Sequence, residues 1–217
     1  ANPEGLERKY QIMLRPTSCV GCGACVPACP QGLHSISDTG EHLIDRTKDC
    51  IGCGACVEAC NYSALKVAGE YATISELLDY VEEDRAFYEQ SGGGVTLGGG
   101  EVTAQPKAAE SLLMACKQNG IHTAIETCGY TKKETILRIA EYVDLFLFDI
   151  KNINSDRHYE LTGVRNEIIL ENLKALLQNK KNVKIRMPLL KGINDSEEEI
   201  RGTIDFLMPF KNYRNFQ

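Results

Sequence analysis

The chain has 217 residues, of which 43% are hydrophobic and 25% are charged, and its formal net charge is −6. This is ordinary globular composition, and a net negative chain is not an expected partner for nucleic acid or an anionic membrane, both of which attract clustered positive charge. No apolar run reaches the ~18 residues of a membrane span and the first residues do not form a signal peptide, so we expect a cytoplasmic protein.

The first feature in chain order is a duplicated cysteine motif. Two runs share the spacing C-x2-C-x2-C-x3-C: Cys19, Cys22, Cys25 and Cys29, then Cys50, Cys53, Cys56 and Cys60. Three cysteines at this spacing can wrap three corners of a cubane cluster, and in two-cluster ferredoxins the fourth cysteine of each run ligates the other cluster. We therefore expect two [4Fe–4S] clusters, one held by Cys19, Cys22, Cys25 and Cys60, the other by Cys50, Cys53, Cys56 and Cys29.

Other uses of these cysteines fit the pattern less well. Zinc sites usually combine two C-x2-C pairs, whereas each run here offers four thiols. Disulfide scaffolds are typical of small secreted chains with little core, and this chain has neither property. Cys116 and Cys128 lie outside the duplicated motif, and we interpret each as a small buried hydrophobic residue rather than a ligand.

The residues after the motif alternate between predicted helices and strands. The pattern predicts helices at 74–88, 106–119, 132–142, 167–178 and 196–208, and strands at 94–97, 122–126, 145–150 and 182–188. Ser196 and Glu199 are spaced for a capping box at the start of the last helix. Repeated βα units of this length indicate an α/β fold with a parallel sheet and outer helices.

Glycines and polar residues follow the predicted strands at their C-terminal ends, where barrels of this kind carry their chemistry. These residues are Gly99, Gly100, Glu101, Glu126, Thr127, Asp149, Lys151 and Arg186. Because they gather at one mouth, they could hold a small ligand that has both an ammonium and a carboxylate group. Taken singly, the glycine run would be a turn, and Asp149 with Lys151 a solvated ion pair.

Five segments together resemble one known family. They are Gly92-Gly93-Gly94-Val95-Thr96-Leu97-Gly98-Gly99-Gly100-Glu101, 126–130, 149–151, 158–164 and 183–192. In this order they are similar to segments of the glycyl-radical-enzyme activating enzymes, a family of the radical SAM superfamily. The resemblance covers essentially the whole chain, and a paired cluster insert belongs to a subset of that family. Within the family, the segment 98–106 looks most like the activators of choline trimethylamine-lyase.

The resemblance implies a partial (β/α) radical SAM barrel, at 1–13 and 69–217, with a ferredoxin-like domain of two [4Fe–4S] clusters inserted at 14–68. It implies that a third, site-differentiated cluster reduces S-adenosylmethionine, and that the resulting 5′-deoxyadenosyl radical takes a hydrogen from a glycine of a partner enzyme. The implied partners are a glycyl radical enzyme, with choline trimethylamine-lyase expected, and a flavodoxin or ferredoxin as electron donor. The fully ligated insert clusters would relay the electrons.

The resemblance also divides the mouth residues by role. The methionyl amino group would meet Gly99, Gly100 and Glu101. The rest of the cofactor would be held by Asp149, Lys151 and Arg186. A monovalent cation near its carboxylate would bind with help from Glu126 and Thr127.

Part of the family fingerprint is missing from the sequence. In relatives, the C-x3-C-x2-C motif of the initiating cluster is followed after one residue by Asn-Pro-Glu, and here Asn2-Pro3-Glu4 follows Ala1. We therefore expect the initiating cysteines just upstream of Ala1 and further barrel strands after Gln217. On this interpretation the 217 residues are a fragment that is inactive alone, while the full-length enzyme holds the third cluster and S-adenosylmethionine.

Two alternative functions stay open. An electron-transfer protein, with a ferredoxin module fused to a βα scaffold, would explain the cysteines but not the polar mouth. An activator of another glycyl radical enzyme, of the decarboxylase or dehydratase type, would share every feature named above. In either case, exposed clusters and thiolates predict oxygen lability and an anaerobic setting.

Overall fold

The computed structural model describes residues 9–210 of the chain. The chain forms two compact units, one that ends at Tyr71 and one that runs on from Ala72. Among the helices of the described range, none is long and apolar enough to cross a membrane. The Asn2-Pro3-Glu4 segment, used above to place the initiating cysteines, lies outside the described residues.

The first unit contains the duplicated cysteine motif and two small antiparallel sheets. In one sheet, β1 (Gln11–Leu14) pairs with β4 (Leu65–Ala68). In the other, β2 (His34–Ile36) pairs with β3 (His42–Ile44). Each cysteine run contains one short helix, and these helices are α1 (Cys25–Ala28) and α2 (Ala55–Glu58).

Strand β1 belongs to this first unit, which differs from the division predicted from the sequence. That division assigns 1–13 to the barrel and ends the insert at residue 68. In the structure β1 runs antiparallel to β4, and Ile12, only 2% exposed, packs in one small core with Cys25, Cys56 and Leu65. Because this apolar strand has its partner and its core beside the cysteines, the unit extends from β1 to Tyr71.

The second unit is built on a four-stranded parallel sheet in the order β5-β6-β7-β8. Its strands are β5 (Gly94–Leu97), β6 (His122–Thr127), β7 (Leu145–Asp149) and β8 (Val183–Arg186). Its helices are α3 (Ile74–Glu82), α4 (Arg85–Ser91), α5 (Pro106–Gln118), α6 (Lys133–Ile139), α7 (Ser155–Thr162), α8 (Glu167–Gln178) and α9 (Glu197–Leu207). Strands that follow one another in sequence are neighbours in the sheet, which confirms the predicted α/β class and partial barrel.

The first predicted helix of this unit, 74–88, is two helices in the structure. At the break, Arg85 donates hydrogen bonds to Glu82 and to the carbonyl oxygen of Asn119. These contacts tie the first residue of the second helix to the end of the first helix and to the turn after α5. Helix α3 begins with a capping box, in which the side chains of Thr73 and Glu76 each accept a hydrogen bond from the other's backbone N–H.

At the start of α9 the predicted capping box is only half formed. Ser196 accepts a hydrogen bond from the backbone N–H of Glu199, but the Glu199 carboxylate accepts one from the N–H of Ile153 instead. The glutamate thus ties the helix to the segment after β7. Helix α7, which the periodicity does not predict, begins at Asn154, whose side chain accepts from the N–H of Arg157.

One face of the parallel sheet carries the main hydrophobic core. Phe146 and Phe148 of β7 are fully buried there and pack in one cluster with Leu173 of α8. Because side chains alternate across a strand, Leu147 and Asp149 point to the opposite face. The same alternation on the neighbouring strands places the charged strand ends on that second face.

A buried asparagine ties α8 to the loop that follows β6. Asn172 is fully buried, and its side-chain amide donates to the carbonyl oxygens of Gly129 at 2.8 Å and Thr131 at 2.7 Å. This loop follows directly on Thr127, one of the predicted site residues. The contact therefore fixes the backbone beside the mouth of the sheet.

We predict that Asn172→Leu lowers the free energy of unfolding by roughly 2–4 kcal/mol, because two carbonyl oxygens lose their donor and each unpaired buried group costs about 1–3 kcal/mol. Asn179→Ala is the control, since exposed Asn179 donates a similar bond to the carbonyl of Ala175 at the end of the same helix, and we expect a loss below about 1 kcal/mol. Urea unfolding followed by circular dichroism measures both. Equal losses in the two variants would contradict the role given to Asn172.

Candidate functional site

The structure brings the predicted cysteine sets together in two separate pockets of the first unit. The first pocket, here called the Cys19 site, is lined by Cys19, Cys22, Cys25 and Cys60. The second, here called the Cys50 site, is lined by Cys29, Cys50, Cys53 and Cys56. In each pocket the fourth cysteine comes from the other run, which is the crossed pattern expected of two-cluster ferredoxins.

Cysteines at equivalent positions of the two sites are buried or exposed to a similar extent. Cys25 and Cys56, at equivalent positions, are buried at 8% and 4% exposed. Cys22 and Cys53, also equivalent, are exposed. Each site therefore has one sulfur in the core of the unit and one at the surface.

Glycines between the cysteines let the backbone wrap closely around each site. Gly21 and Gly52 occupy equivalent positions with φ of +69° and +71°. A Cβ atom on Gly21 would lie 2.4 Å from the carbonyl oxygen of Gly40, and one on Gly52 would lie 2.7 Å from the ring of Tyr10. Neither position accepts a side chain, because both the backbone angle and the space exclude it.

The sulfur atoms of each site form a donor set that suits a metal centre. Burial raises the pKa of the Cys25 thiol, and the neighbouring Cys19 and Cys22 raise it further. Burial likewise raises the pKa of Cys56, as does the charge of Cys29. These raised pKa values favour neutral thiols, and a bound metal would displace their protons. An all-cysteine donor set fits a soft metal centre such as an iron–sulfur cluster.

In the second unit, Glu101 is the centre of a hydrogen-bond network at the mouth of the sheet. Its Oε1 accepts from the hydroxyls of Thr127 at 2.6 Å and Thr103 at 2.9 Å. Its Oε2 accepts from the backbone N–H of Cys128 at 3.0 Å and from the Cys128 thiol at 3.1 Å. The carboxylate thereby joins the loop after β5 to the end of β6.

These bonds keep Glu101 ionised. Burial alone would raise the pKa of the Glu101 carboxyl, but the hydrogen bonds from Thr127 and Cys128 outweigh it and hold the pKa below its usual value. The carboxylate therefore stabilises the fold above its unfolded pKa, and this contribution is lost as the pH falls through the lowered value. Gly99 and Gly100 precede Glu101 in the same loop, so the network also fixes their backbone.

The two cysteines outside the duplicated motif differ from each other. Cys116 is fully buried in an apolar cluster with Leu112 and Ile121, as predicted. Cys128 is only partly buried and acts as a donor, which the sequence pattern does not reveal. Burial, and then the charge of Glu101, raises the pKa of Cys128 to about 11, so its thiol stays protonated and donates to that carboxylate.

Arg186 joins the ends of three strands on the open face of the sheet. Its Nη1 donates to Glu126 Oε1 at 2.7 Å and its Nε to Asp149 Oδ1 at 2.8 Å. Asp149 and Arg186 lie directly opposite each other in the register of β7 and β8. The hydrogen bonds to Glu126 and Asp149 raise the pKa of Arg186, which stays charged. These predicted site residues form one ion-paired group.

Lys151 lies at the same mouth, in the loop after β7. Its carbonyl oxygen accepts a hydrogen bond of 2.7 Å from the side chain of Asn194, which is 2% exposed and also donates to the carbonyl of Pro188. Asn194 thus locks the loops after β7 and β8 together. No pattern in the sequence identifies Asn194 as a site residue, because an asparagine side chain in a loop usually hydrogen-bonds to the backbone of its own turn.

Both units match known proteins. A family model described as the Radical SAM superfamily matches residues 50–207, and one described as a 4Fe-4S dicluster domain matches residues 18–65. The choline trimethylamine-lyase activating enzyme of Oleidesulfovibrio alaskensis is 62% identical over 100% of this chain and 70% of its own length. The trans-4-hydroxy-L-proline dehydratase activating enzyme of Clostridioides difficile is 45% identical over 96% of this chain and 69% of its own length.

A solved structure extends the comparison. A domain of pyruvate-formate lyase-activating enzyme from Bacteroides vulgatus is 36% identical, with a TM-score of 0.50, over 53% of this chain and 71% of that chain. The sheet, the mouth and these matches together define an enzyme of the radical SAM superfamily, with iron–sulfur clusters and S-adenosylmethionine as its cofactors. Within the superfamily, the chain belongs to the glycyl-radical-enzyme activating enzymes, the family that its motifs predicted. A plain electron carrier without radical chemistry does not account for this membership.

We predict that Glu101→Gln lowers the free energy of unfolding by about 2 kcal/mol at neutral pH, because a hydrogen bond to a charged group contributes about 1.5–3 kcal/mol and the new amide would face donors. Glu197→Gln is the matched control, since Glu197 forms an exposed ion pair with Arg201, and we expect a change below about 0.5 kcal/mol. Urea unfolding measures both variants. A loss in Glu101→Gln no larger than in the control would contradict the network described above.

Proposed function

We propose that this protein activates choline trimethylamine-lyase by generating a glycyl radical on it. The observation that carries the proposal is the mouth of the parallel sheet, where the ends of all four strands β5 to β8 present the predicted cofactor residues. The chain that builds this mouth is 62% identical to an enzyme named for activating that lyase. A dehydratase is the second candidate target, on 45% identity to the trans-4-hydroxy-L-proline dehydratase activating enzyme.

When bound, a reduced site-differentiated cluster and S-adenosylmethionine supply a 5′-deoxyadenosyl radical that takes a hydrogen atom from a glycine of the target. We assign the methionyl amino group to the loop Gly99, Gly100 and Glu101. Both carboxylate oxygens of Glu101 already accept hydrogen bonds. Its side chain therefore holds the loop in place, and the backbone carbonyls of Gly99 and Gly100 would accept from the ammonium.

The other mouth residues supply charge on the open face of the sheet. Asp149 and Lys151 would hold the cofactor from the end of β7, and Arg186 would keep the Asp149 side chain in place through their 2.8 Å bond. Glu126 is exposed and offers a carboxylate to a monovalent cation. Thr127 would support that site indirectly, because its hydroxyl already donates to Glu101.

We assign the Cys19 and Cys50 sites to two [4Fe–4S] clusters that relay electrons. Cys22 and Cys53 are exposed and would hold one corner of each relay cluster near the surface. Beside them, Val20 is 60% and Ile51 54% exposed, so both rims are apolar. Such rims suit a small redox partner, a flavodoxin or ferredoxin, that docks transiently.

The target is tested by anaerobic incubation of the complete enzyme with S-adenosylmethionine, reduced flavodoxin and either choline trimethylamine-lyase or trans-4-hydroxy-L-proline dehydratase. Electron paramagnetic resonance detects the glycyl radical on each target. A radical on the lyase, formed faster than on the dehydratase, is the expected result. A radical on the dehydratase alone would favour the second candidate, and no radical on either would refute both.

The relay is tested by Cys53→Ala in the complete enzyme. We expect glycyl radical formation driven by reduced flavodoxin to fall at least ~10-fold, because a site with three cysteines cannot hold a fully ligated cluster to pass the electron on. Cys116→Ala removes a thiol from the core of the second unit and is the matched control, with little change expected. Undiminished activation by the Cys53→Ala enzyme would refute the relay.

A further inference from the structure

A pair of buried histidines lies directly against the Cys19 site. His42, 8% exposed, has its Nδ1 atom 3.7 Å from the sulfur of Cys19 and its Nε2 atom 3.6 Å from the sulfur of Cys25. His34, 4% exposed, has its Nδ1 atom 2.9 Å from Nε2 of His42. The two residues begin the paired strands β2 and β3, and the functions assigned above use neither of them.

The contacts of His34 decide which nitrogen of His42 carries the proton. The 2.9 Å contact between the two rings holds a single proton, because one nitrogen donates it and the other accepts. Each imidazole ring keeps at least one N–H group. Within the described residues, Nε2 of His34 is buried without a hydrogen-bond partner. A proton there would be a buried, unpaired donor, whereas a bare lone pair is the less costly state. The proton of His34 therefore sits on Nδ1 and is donated to Nε2 of His42.

This arrangement points the N–H group of His42 at the Cys19 site. Since Nε2 of His42 accepts from His34 at 2.9 Å, the N–H of His42 is on Nδ1. That atom faces the sulfur of Cys19. The chain of bonds thus runs from His34 to His42 to Cys19.

The Cys50 site is built differently. The hydrogen bonds that reach its sulfurs come from the backbone, from the N–H of Leu33 to Cys29 at 3.5 Å and from the N–H of Gly52 to Cys50 at 3.4 Å. The Cys19 site has the counterpart of the first, from the N–H of Ala64 to Cys60 at 3.3 Å. The histidine pair is added to this shared backbone pattern at one site only.

We propose that His42 donates a hydrogen bond to the Cys19 sulfur, and so gives the cluster at the Cys19 site a higher reduction potential than the cluster at the Cys50 site. His34 is the positioning residue that fixes the tautomer of His42. The proposal rests on the two relay clusters of the proposed function. Reduction adds negative charge to the cluster and its sulfurs, and a donor aimed at a sulfur stabilises that charge. One electron delivered to the pair then resides at the Cys19 site.

A mononuclear metal is the competing use of the same residues. Ligand atoms of Cys25, His34 and His42 all lie within 4.8 Å of one another. A metal held by these three would take Cys25 away from Cys19, Cys22 and Cys60 and break the repeated motif. The 2.9 Å contact between Nδ1 of His34 and Nε2 of His42 also occupies one nitrogen of each ring.

The test is a redox titration of the full chain, loaded anaerobically with iron and sulfide and followed by electron paramagnetic resonance. In His42→Leu we expect the equilibrium constant for reducing one cluster to fall at least tenfold, which for one electron is about 59 mV, while the other cluster is unchanged. His42→Asn keeps an N–H near the position of Nδ1, and we expect it to restore most of the potential. His122→Leu, at an exposed histidine of β6, is the control and should change neither potential.

His34→Phe separates a structural role from the proposed one, because it leaves the His42 ring beside the sulfurs but removes the donor that fixes its proton. We expect the reduction potential of the same cluster to shift in the same direction. If His42→Leu does not bind iron, the His34→Phe variant tests the proposal in its place. Unchanged potentials, or equal shifts of both clusters, in iron-loaded variants would overturn the proposal. Zinc bound with loss of cluster iron would overturn it as well. Iron content of the wild-type chain reports separately on the clusters themselves.

Discussion

The structure of the first unit depends on the binding of metal by cysteine sulfurs that meet in two small pockets. Four sulfurs meet in each pocket, and one of them, Cys25 or Cys56, belongs to the core of the unit. Within residues 9–210, that core also contains the buried Ile12 and Leu65, with Leu14, Ile44, Val57 and Val67 partly buried against them. A core of this size contributes little free energy of folding, so the metal centres must supply much of it, as in other small metal-binding domains. The glycine turns at Gly21 and Gly52 follow from the same demand, since the chain must pass close to the sulfurs.

The second unit holds charged side chains at the C-terminal ends of the strands of its parallel sheet. Its buried face is apolar and packs on the helices, while its other face ends in ionised groups. Glu101 and Arg186 do this in opposite ways. Glu101 is a carboxylate saturated by donors from the end of β6, and Arg186 is a cation shared between Glu126 and Asp149. Both arrangements are preorganised, so a bound cofactor would meet fixed charges and fixed backbone groups.

Much of this organisation is predictable from the sequence because it rests on spacing. The duplicated C-x2-C-x2-C-x3-C spacing predicts that the fourth cysteine of each run joins the other run's pocket, as the structure has it. The alternating apolar segments predict the four parallel strands. The order of the strand ends likewise foretold which side chains share a mouth. These features depend on local periodicity and on topology, which a single chain records directly.

Other features depend on contacts between distant residues and could not be predicted. The break between α3 and α4 follows from Arg85 reaching Asn119, and the half-formed cap of α9 from Glu199 reaching Ile153. The thiol of Cys128 and the amide of Asn194 became part of the site only through partners far away in the sequence. The histidines of β2 and β3 belong to no sequence motif. Their position beside the sulfurs follows from the register of the hairpin, which the sequence pattern does not show.

Mössbauer spectroscopy of the chain loaded anaerobically with ⁵⁷Fe tests the central claim most directly. Two fully ligated cubanes predict ~8 irons per chain, four per cluster, all in the quadrupole doublet of [4Fe–4S]²⁺ with cysteine ligands. The double variant Cys19→Ala/Cys60→Ala should keep half of the signal, because the two cysteines belong to one pocket, whereas Cys19→Ala/Cys50→Ala should lose all of it. A colourless protein with zinc in these pockets, or loss of the whole signal in Cys19→Ala/Cys60→Ala, would contradict the account.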